Sequence, residues 1–269
     1  MQFLWLHLWK GSYDDFLHIV VHPSKLTLVF TPNPEMLLAA STDEEFLRIL
    51  WRADYLLPDG NWLYLATRMK EGYSFLSAGW NLLTSKKWIS KKYGDLIKWS
   101  DLTKDLISHA QRHQKKILLI DNYRITTPES DFEKKKMHTQ SRIIELFHRK
   151  YPHLSIQVFF LGEMSPDAIA HHIELSHIDY VFGCSGMKTQ EKILFDIFSY
   201  LPDHLRVVGL WVGSSFDYLL GLQKRAPRLW RKAWLEWLYR LIMDPRKRWR
   251  RIIDAVWRFP HMSESFDKK

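Results

Sequence analysis

Short apolar runs alternate with longer segments of helical period along most of this 269-residue chain, and that alternation constrains the fold more than any other feature. The runs are LTLVF (26–30), DYLL (54–57), KILLI (116–120), SIQVFF (155–160), IDYVF (178–182) and LRVVGLWV (205–212). Between them lie amphipathic stretches such as STDEEFLRILWRA, with Ser41 read as its N-cap, SDLTKDLISHAQRHQ, with Ser100 read as its N-cap, and SPDAIAHHIELSH. Parallel neighbours need a long crossover, usually a helix, so this order predicts an α/β Rossmann-like sandwich around a mostly parallel central sheet. In such sheets ligands bind beyond the carboxyl ends of the strands, which is where chemistry is to be sought.

A hydrophobic fraction of 46% beside 26% charged residues excludes a disordered chain and suits a buried core. The sole cysteine, Cys184, excludes an internal disulfide framework and a cysteine-based zinc cage, which suits a reducing compartment. The apolar start MQFLWLHLWK lacks the basic flank and small-residue cleavage site of a leader and reads as a strand. No uncharged apolar run reaches the roughly 18 residues of a spanning helix, so the expectation is a protein that does not cross a membrane. Two segments, 71–99 and 123–140, look inserted and read as solvated loops or loose helices.

The residues that follow the strands form a pattern. After LTLVF comes Thr31-Pro32-Asn33-Pro34-Glu35, and after DYLL comes Pro58-Asp59-Gly60-Asn61. After IDYVF comes GCSGMKTQE, from Gly183 to Glu191, and LRVVGLWV is followed by Gly213-Ser214-Ser215-Phe216-Asp217. Polar side chains and glycines are thus expected along one edge of the sheet, where backbone amides can approach a phosphate closely. Each piece alone has a plainer reading: Pro-Asp-Gly as a turn, and Thr-Pro-Asn-Pro as the start of a helix.

Other chemistries find little support. GCSGMKT has Met187 where a P-loop needs glycine, and no GxGxxG opens a βα unit, so neither ATP hydrolysis nor dinucleotide binding is expected. His171, His172 and His177 include no His-x-x-x-His pair, and neither HExxH nor DxD occurs, so no metal site is expected. Cys184 reads as a strand-end thiol rather than a nucleophile.

The C-terminal stretch 224–251 carries eleven Lys or Arg against Glu236 and Asp244, a net +9, which equals the formal charge of the whole chain. Residues 228, 232, 236 and 240 form a charged stripe at i, i+4 spacing, while Trp230, Trp234, Trp237, Leu238 and Leu241 fill an opposite face. After Pro245 a second amphipathic segment begins, with Trp249, Ile252, Ile253 and Val256 opposite Arg250, Arg251 and Arg258. Tryptophan on an apolar face with cationic flanks is the composition of an interfacial membrane helix. The organisation read from sequence is therefore a core over 1–223 and a basic amphipathic helical appendage over 224–269.

Taken in order, TPNPE, LPDG, SDL, GCSGMKTQEK, VGSSFDYLLG and KRAPRLWRKAWLEWLYRLIMDPRKRWRR resemble the pattern of the WecG/TagA/CpsF glycosyltransferases, glycosyltransferase family 26, over residues 26 to about 258. The resemblance implies an inverting hexosyltransferase that needs no metal and no cofactor. It moves a sugar such as N-acetylmannosamine from a UDP-sugar to N-acetylglucosamine on a polyprenyl diphosphate, in cell-surface polysaccharide synthesis. It also implies that Asp59 is the general base and that Thr31, Asn33, Asp101, Gly183, Gln190 and Glu191 line the substrate pocket. Asp217 would meet the donor nucleoside, and Arg240, Lys247 and Arg250 the diphosphate. Asp121 and Asn122 depart from the family by replacing a Gly-Gly turn, and Leu96 stands where an Arg is usual.

The partners expected are the UDP-sugar, the lipid-linked acceptor and an anionic membrane surface, with the protein peripheral on the inner face of a bacterial cell membrane. Homo-oligomerisation stays open. Two rival readings are a catalytically inactive binder of lipid-linked sugar and a nucleic-acid-binding protein that uses the basic, aromatic tail. Nucleic acid is not the expected partner.

Overall fold

The computed structural model of the chain describes residues 2–3, 6–58, 61–84, 94–95, 97, 99–121, 132–184 and 186–212, with Phe216, Leu219, Pro227, Tyr239, Ile242, Trp249, Ile253, Asp254, Arg258 and Phe259. In chain order the first elements are β1 (Gln2–Phe3), β2 (Leu6–His7), α1 (Tyr13–Val21), β3 (Thr27–Phe30), α2 (Pro34–Ala40), α3 (Glu44–Trp51), β4 (Tyr55–Leu56), α4 (Asn61–Lys70) and α5 (Phe75–Thr84). They are followed by α6 (Trp99–Arg112), β5 (Lys116–Asp121), α7 (Phe132–Lys150), β6 (Ser155–Phe160), α8 (Pro166–Ser176), β7 (Tyr180–Cys184), α9 (Thr189–Tyr200) and β8 (Val208–Trp211). Two compact units result: residues 1–16, 31–98 and 224–269 form one, and residues 17–30 and 99–223 the other.

In the second unit the strands run in the order β3-β8-β7-β5-β6, and each neighbouring pair is parallel. This is the α/β Rossmann-like arrangement expected from the alternation of runs and helices. Every residue of β3 is buried, as are Ile117 to Ile120 of β5, because a parallel sheet between helices is apolar on both faces. The edge strand β6 alternates instead, hiding Ile156, Val158 and Phe160. Gly209 of β8 is dictated by close approach: a Cβ there would lie 2.5 Å from the Phe198 ring of α9 and 3.1 Å from Leu28. The absence of that methyl lets α9 settle on β3, β7 and β8. Asp179 ties the start of β5 to that of β7, accepting Lys115 Nζ and the Lys116 amide at 2.8 Å each.

In the first unit, the apolar N-terminus folds as two short antiparallel strands, with Gln2 opposite His7 and Phe3 opposite Leu6, rather than as one strand. Leu8 then bridges Leu56. Trp9, Phe16 and Tyr55 pack edge to face, each pair of ring centroids 5.6 Å apart.

Two expected caps move. Asp43, not Ser41, caps α3, accepting the Phe46 amide at 3.0 Å, while Ser41 closes α2, its N–H donating to the Leu37 carbonyl and that of Thr42 to the Ala39 carbonyl. The acidic side chain nearer the first turn also complements the helix dipole, which the serine cannot do. Ser100 lies inside the first turn of α6, which begins at Trp99. The two segments read as inserted are partly helical: 75–84 forms α5, and α7 begins at Phe132. Among the described residues no helix is long and apolar enough to cross a membrane. The appendage expected over 224–269 lies largely outside the described residues, although Tyr239, Ile242, Trp249 and Ile253 are helical.

Candidate active site

The direction of winding reverses at β5 in the second unit: β6 follows it on one side, and the chain then crosses to place β7 on the other. A crevice opens at such a reversal beyond the carboxyl ends of the flanking strands. Here those ends are Asp121 and Cys184, which face each other in register. Gly183, paired with Ile120 and Trp211, is buried one residue earlier, and Val212 donates its N–H to the Gly183 carbonyl at 3.1 Å.

Beyond β7 the chain turns into α9 through Lys188, whose φ of 70° and ψ of −48° lie in the rare γ-turn region. Non-glycine residues persist there only when their surroundings enforce it. The turn delivers Gln190 and Glu191 into the first turn of α9, and both are buried, at 1% and 0% exposure. Gln190 Nε2 donates to Glu191 Oε1 at 3.0 Å. Gln190 Oε1 and Glu191 Oε2 have no hydrogen-bond partner in the structure.

Burial pushes the Glu191 carboxyl up to about 7, overcoming the backbone amides and the Gln190 amide that favour its ionised form. An unpaired buried acceptor costs about 1 to 3 kcal/mol, so two of them together form a site able to reward a ligand that brings hydroxyl or amide donors. Sequence reading placed both residues in the pocket but carried no sign of the carboxyl's burial or of the strained Lys188 backbone. The only local signal is a polar Gln-Glu pair at the start of an otherwise apolar-faced helix.

In the first unit, Thr31 is 1% exposed immediately after β3. Asn33 is the N-cap of α2: its Oδ1 accepts the Met36 amide at 2.9 Å, and Pro34 occupies the first helical position. Capping uses the oxygen of the carboxamide and leaves its N–H donors for another partner. Pro58 is buried at the end of the β4 segment, just before Asp59.

Asp101 is exposed in the first turn of α6, with the Ser100 hydroxyl 3.5 Å from its Oδ1. The expected base Asp59, the nucleoside residue Asp217 and the cations Arg240, Lys247 and Arg250 lie outside the described residues. Next to Asp217, Phe216 is buried edge to face against Phe147 and Phe182, at 5.2 and 5.4 Å between centroids, which anchors the chain after β8. His171 is exposed, His172 bonds to Gln157 on β6, and His177 caps α8 in the left-handed conformation.

A model of the glycosyl transferase WecG/TagA/CpsF family matches residues 1–76 and 73–263. Relatives include the N-acetylglucosaminyldiphosphoundecaprenol N-acetyl-beta-D-mannosaminyltransferase of Bacillus subtilis (strain 168), 26% identical over 244 residues, 90% of this chain and 81% of the relative. The protein of the same name from Bacillus spizizenii is 27% identical over 231 residues, 86% of this chain and 76% of its own. That of Staphylococcus aureus (strain MW2) is 26% identical over 230 residues, 83% of this chain and 73% of its own.

Proposed function

This chain belongs to the WecG/TagA/CpsF glycosyltransferase family, and from that premise we propose that it transfers an N-acetylmannosaminyl or related hexosyl residue to N-acetylglucosamine carried on a polyprenyl diphosphate. The observation that carries this reading is the likeness to relatives named for that transfer, over 83 to 90% of the chain. The donor is a UDP-sugar, and the product is a lipid-linked disaccharide used in cell-surface polymer synthesis.

In the proposed reaction an acceptor hydroxyl attacks the anomeric carbon of the donor while the bond from that carbon to the diphosphate oxygen breaks, inverting the configuration. Asp59 takes the proton from the attacking hydroxyl, a contribution of roughly 10² to 10⁴ in rate. Thr31, Asn33, Asp101, Gly183, Gln190 and Glu191 bind the substrates, and Asp217 meets the nucleoside. Arg240, Lys247 and Arg250 stabilise the charge that develops on the departing UDP. The buried acceptors of Gln190 and Glu191 suit the hydroxyl and acetamido donors of a sugar.

The same cationic segment holds the protein to an anionic leaflet, each basic residue near the surface adding about 1 kcal/mol. Exposure of Ile242 (62%), Trp249 (49%) and Ile253 (44%) supports that role.

The test is transfer from a panel of UDP-sugars to a lipid-linked N-acetylglucosamine analogue by the full chain. Transfer from UDP-N-acetylmannosamine that falls roughly 10²-fold or more in Asp59→Asn is expected. Undiminished turnover in that variant removes Asp59 as the base, and no transfer from any donor overturns the assignment.

A further inference from the structure

Helix α5 contains no charged residue, yet it turns large apolar side chains outward. Leu76 is 81% exposed and Trp80, one turn later on the same face, is 68% exposed. Ala78 is buried, and α5 packs against α4. A single exposed leucine is ordinary, but a charge-free helix that exposes a Leu and a Trp at i, i+4 spacing presents a contact face.

The helix is also held firmly. Gly72, at φ 91°, makes the turn out of α4, and Tyr73 donates its N–H to the Arg68 carbonyl at 3.1 Å. The Arg68 guanidinium sits 3.7 Å over the Tyr73 ring and pairs with Glu71 at 2.8 Å. Ser74 then caps α5, accepting the Ser77 amide on its hydroxyl at 3.3 Å and the Ala78 amide on its carbonyl at 2.8 Å.

Charge indicates the occupant. Between Glu71 and Asp95 the chain carries four lysines, Lys86, Lys87, Lys91 and Lys92, and no acid. Lys86 and Lys87 follow Thr84 by two and three positions, so covalent reach keeps their α-carbons within about 11 Å of that residue. Apolar and tryptophan side chains beside a run of lysines match an anionic bilayer surface: the former enter the headgroup region and the latter meet phosphate.

We infer that the exposed Leu76–Trp80 face of α5 is a membrane-docking wedge, separate from the C-terminal appendage, which inserts shallowly into an anionic leaflet. The inference rests on the reading that the acceptor is held in a membrane. It adds a second point of contact, which would fix the orientation of the protein on the surface as a single attachment could not.

The experiment uses full-length protein in which Cys184→Ser removes the sole cysteine and Trp80→Cys or, separately, Trp249→Cys introduces a site for a nitrobenzoxadiazole label. Vesicles of phosphatidylglycerol and phosphatidylcholine are added, and pelleting and emission are read together. The expected result is a blue-shifted, brighter label at position 80 with anionic vesicles and no change with phosphatidylcholine alone. In unlabelled protein, Leu76→Gln with Trp80→Gln then lowers vesicle partitioning about tenfold or more while the far-ultraviolet spectrum is unchanged.

A silent label at position 80 on protein that pellets and reports at position 249 overturns the wedge and leaves the membrane reading standing. A shift at position 80 that grows with protein concentration without lipid overturns it in favour of a second copy of the chain. Protein that does not pellet with anionic vesicles at all overturns both the wedge and the membrane reading.

Discussion

Gln190 donates its amide to Glu191 at 3.0 Å while the far oxygens of both side chains stay buried without a partner. The arrangement makes the acidity of Glu191 measurable through stability. Its carboxyl has an ordinary value of 4.5 and is raised to about 7, chiefly by burial. Below pH 4.5 both folded and unfolded states hold the proton. Between 4.5 and about 7 the unfolded chain releases it and the native state does not, so stability is lost as pH rises through that window. Glu191→Gln removes the titration, and its urea-unfolding free energy exceeds that of the unaltered protein by about 3 kcal/mol at pH 8 relative to pH 4.5. An equal pH slope in the two proteins contradicts the buried, protonated carboxyl.

Asn33 joins a structural duty to its proposed pocket role, and the two separate by substitution. Asn33→Ala removes the acceptor of the Met36 amide and lowers unfolding free energy by about 1 kcal/mol. Asn33→Asp keeps an oxygen at the cap and restores stability but loses the N–H donors. Transfer assays on the pair then separate the roles: low activity in the stable Asp variant assigns the donors to substrate, whereas full activity confines Asn33 to capping.

Lys188 holds a backbone conformation that any Cβ disfavours. Lys188→Gly is therefore expected to be more stable than Lys188→Ala by about 1 to 2 kcal/mol, the comparison between variants cancelling the loss of the lysine side chain. Equal denaturation midpoints for the two variants would show that the turn before α9 is relaxed.

The legible part of the fold was its local part. The inner strands β3, β5 and β7 coincide with apolar runs, because a strand buried on both faces leaves little room for polar residues, whereas the edge strand β6 shows its run as an alternation. Helix ends were less legible: Ser41 and Asp43 are both good caps, and only the geometry of the short turn between α2 and α3 assigns one to close a helix and the other to open the next. The 71–99 segment reads as a solvated loop or a loose helix because of its many lysines and serines, and the ten-residue helix α5 is defined only where Ser74 caps it and α4 supplies a packing face.

The candidate site divides in the same way. Thr31, Asn33, Gly183, Gln190 and Glu191 are legible by their place after strands and by resemblance to a family, Asp101 by that resemblance alone, and the family itself is written in the order of motifs along the chain. Residue type and order thus determined the class of fold and the enzyme family, since apolar periodicity and motif spacing are properties of the chain alone. Only the tertiary structure decided that the Glu191 carboxyl is buried and its acidity weakened, that Asn33 commits its oxygen to a helix, and that Leu76 and Trp80 face outward. Desolvation, hydrogen-bond commitment and exposure depend on which distant segments pack against a residue, as α9 does on β3, β7 and β8, and no local stretch of sequence carries that information.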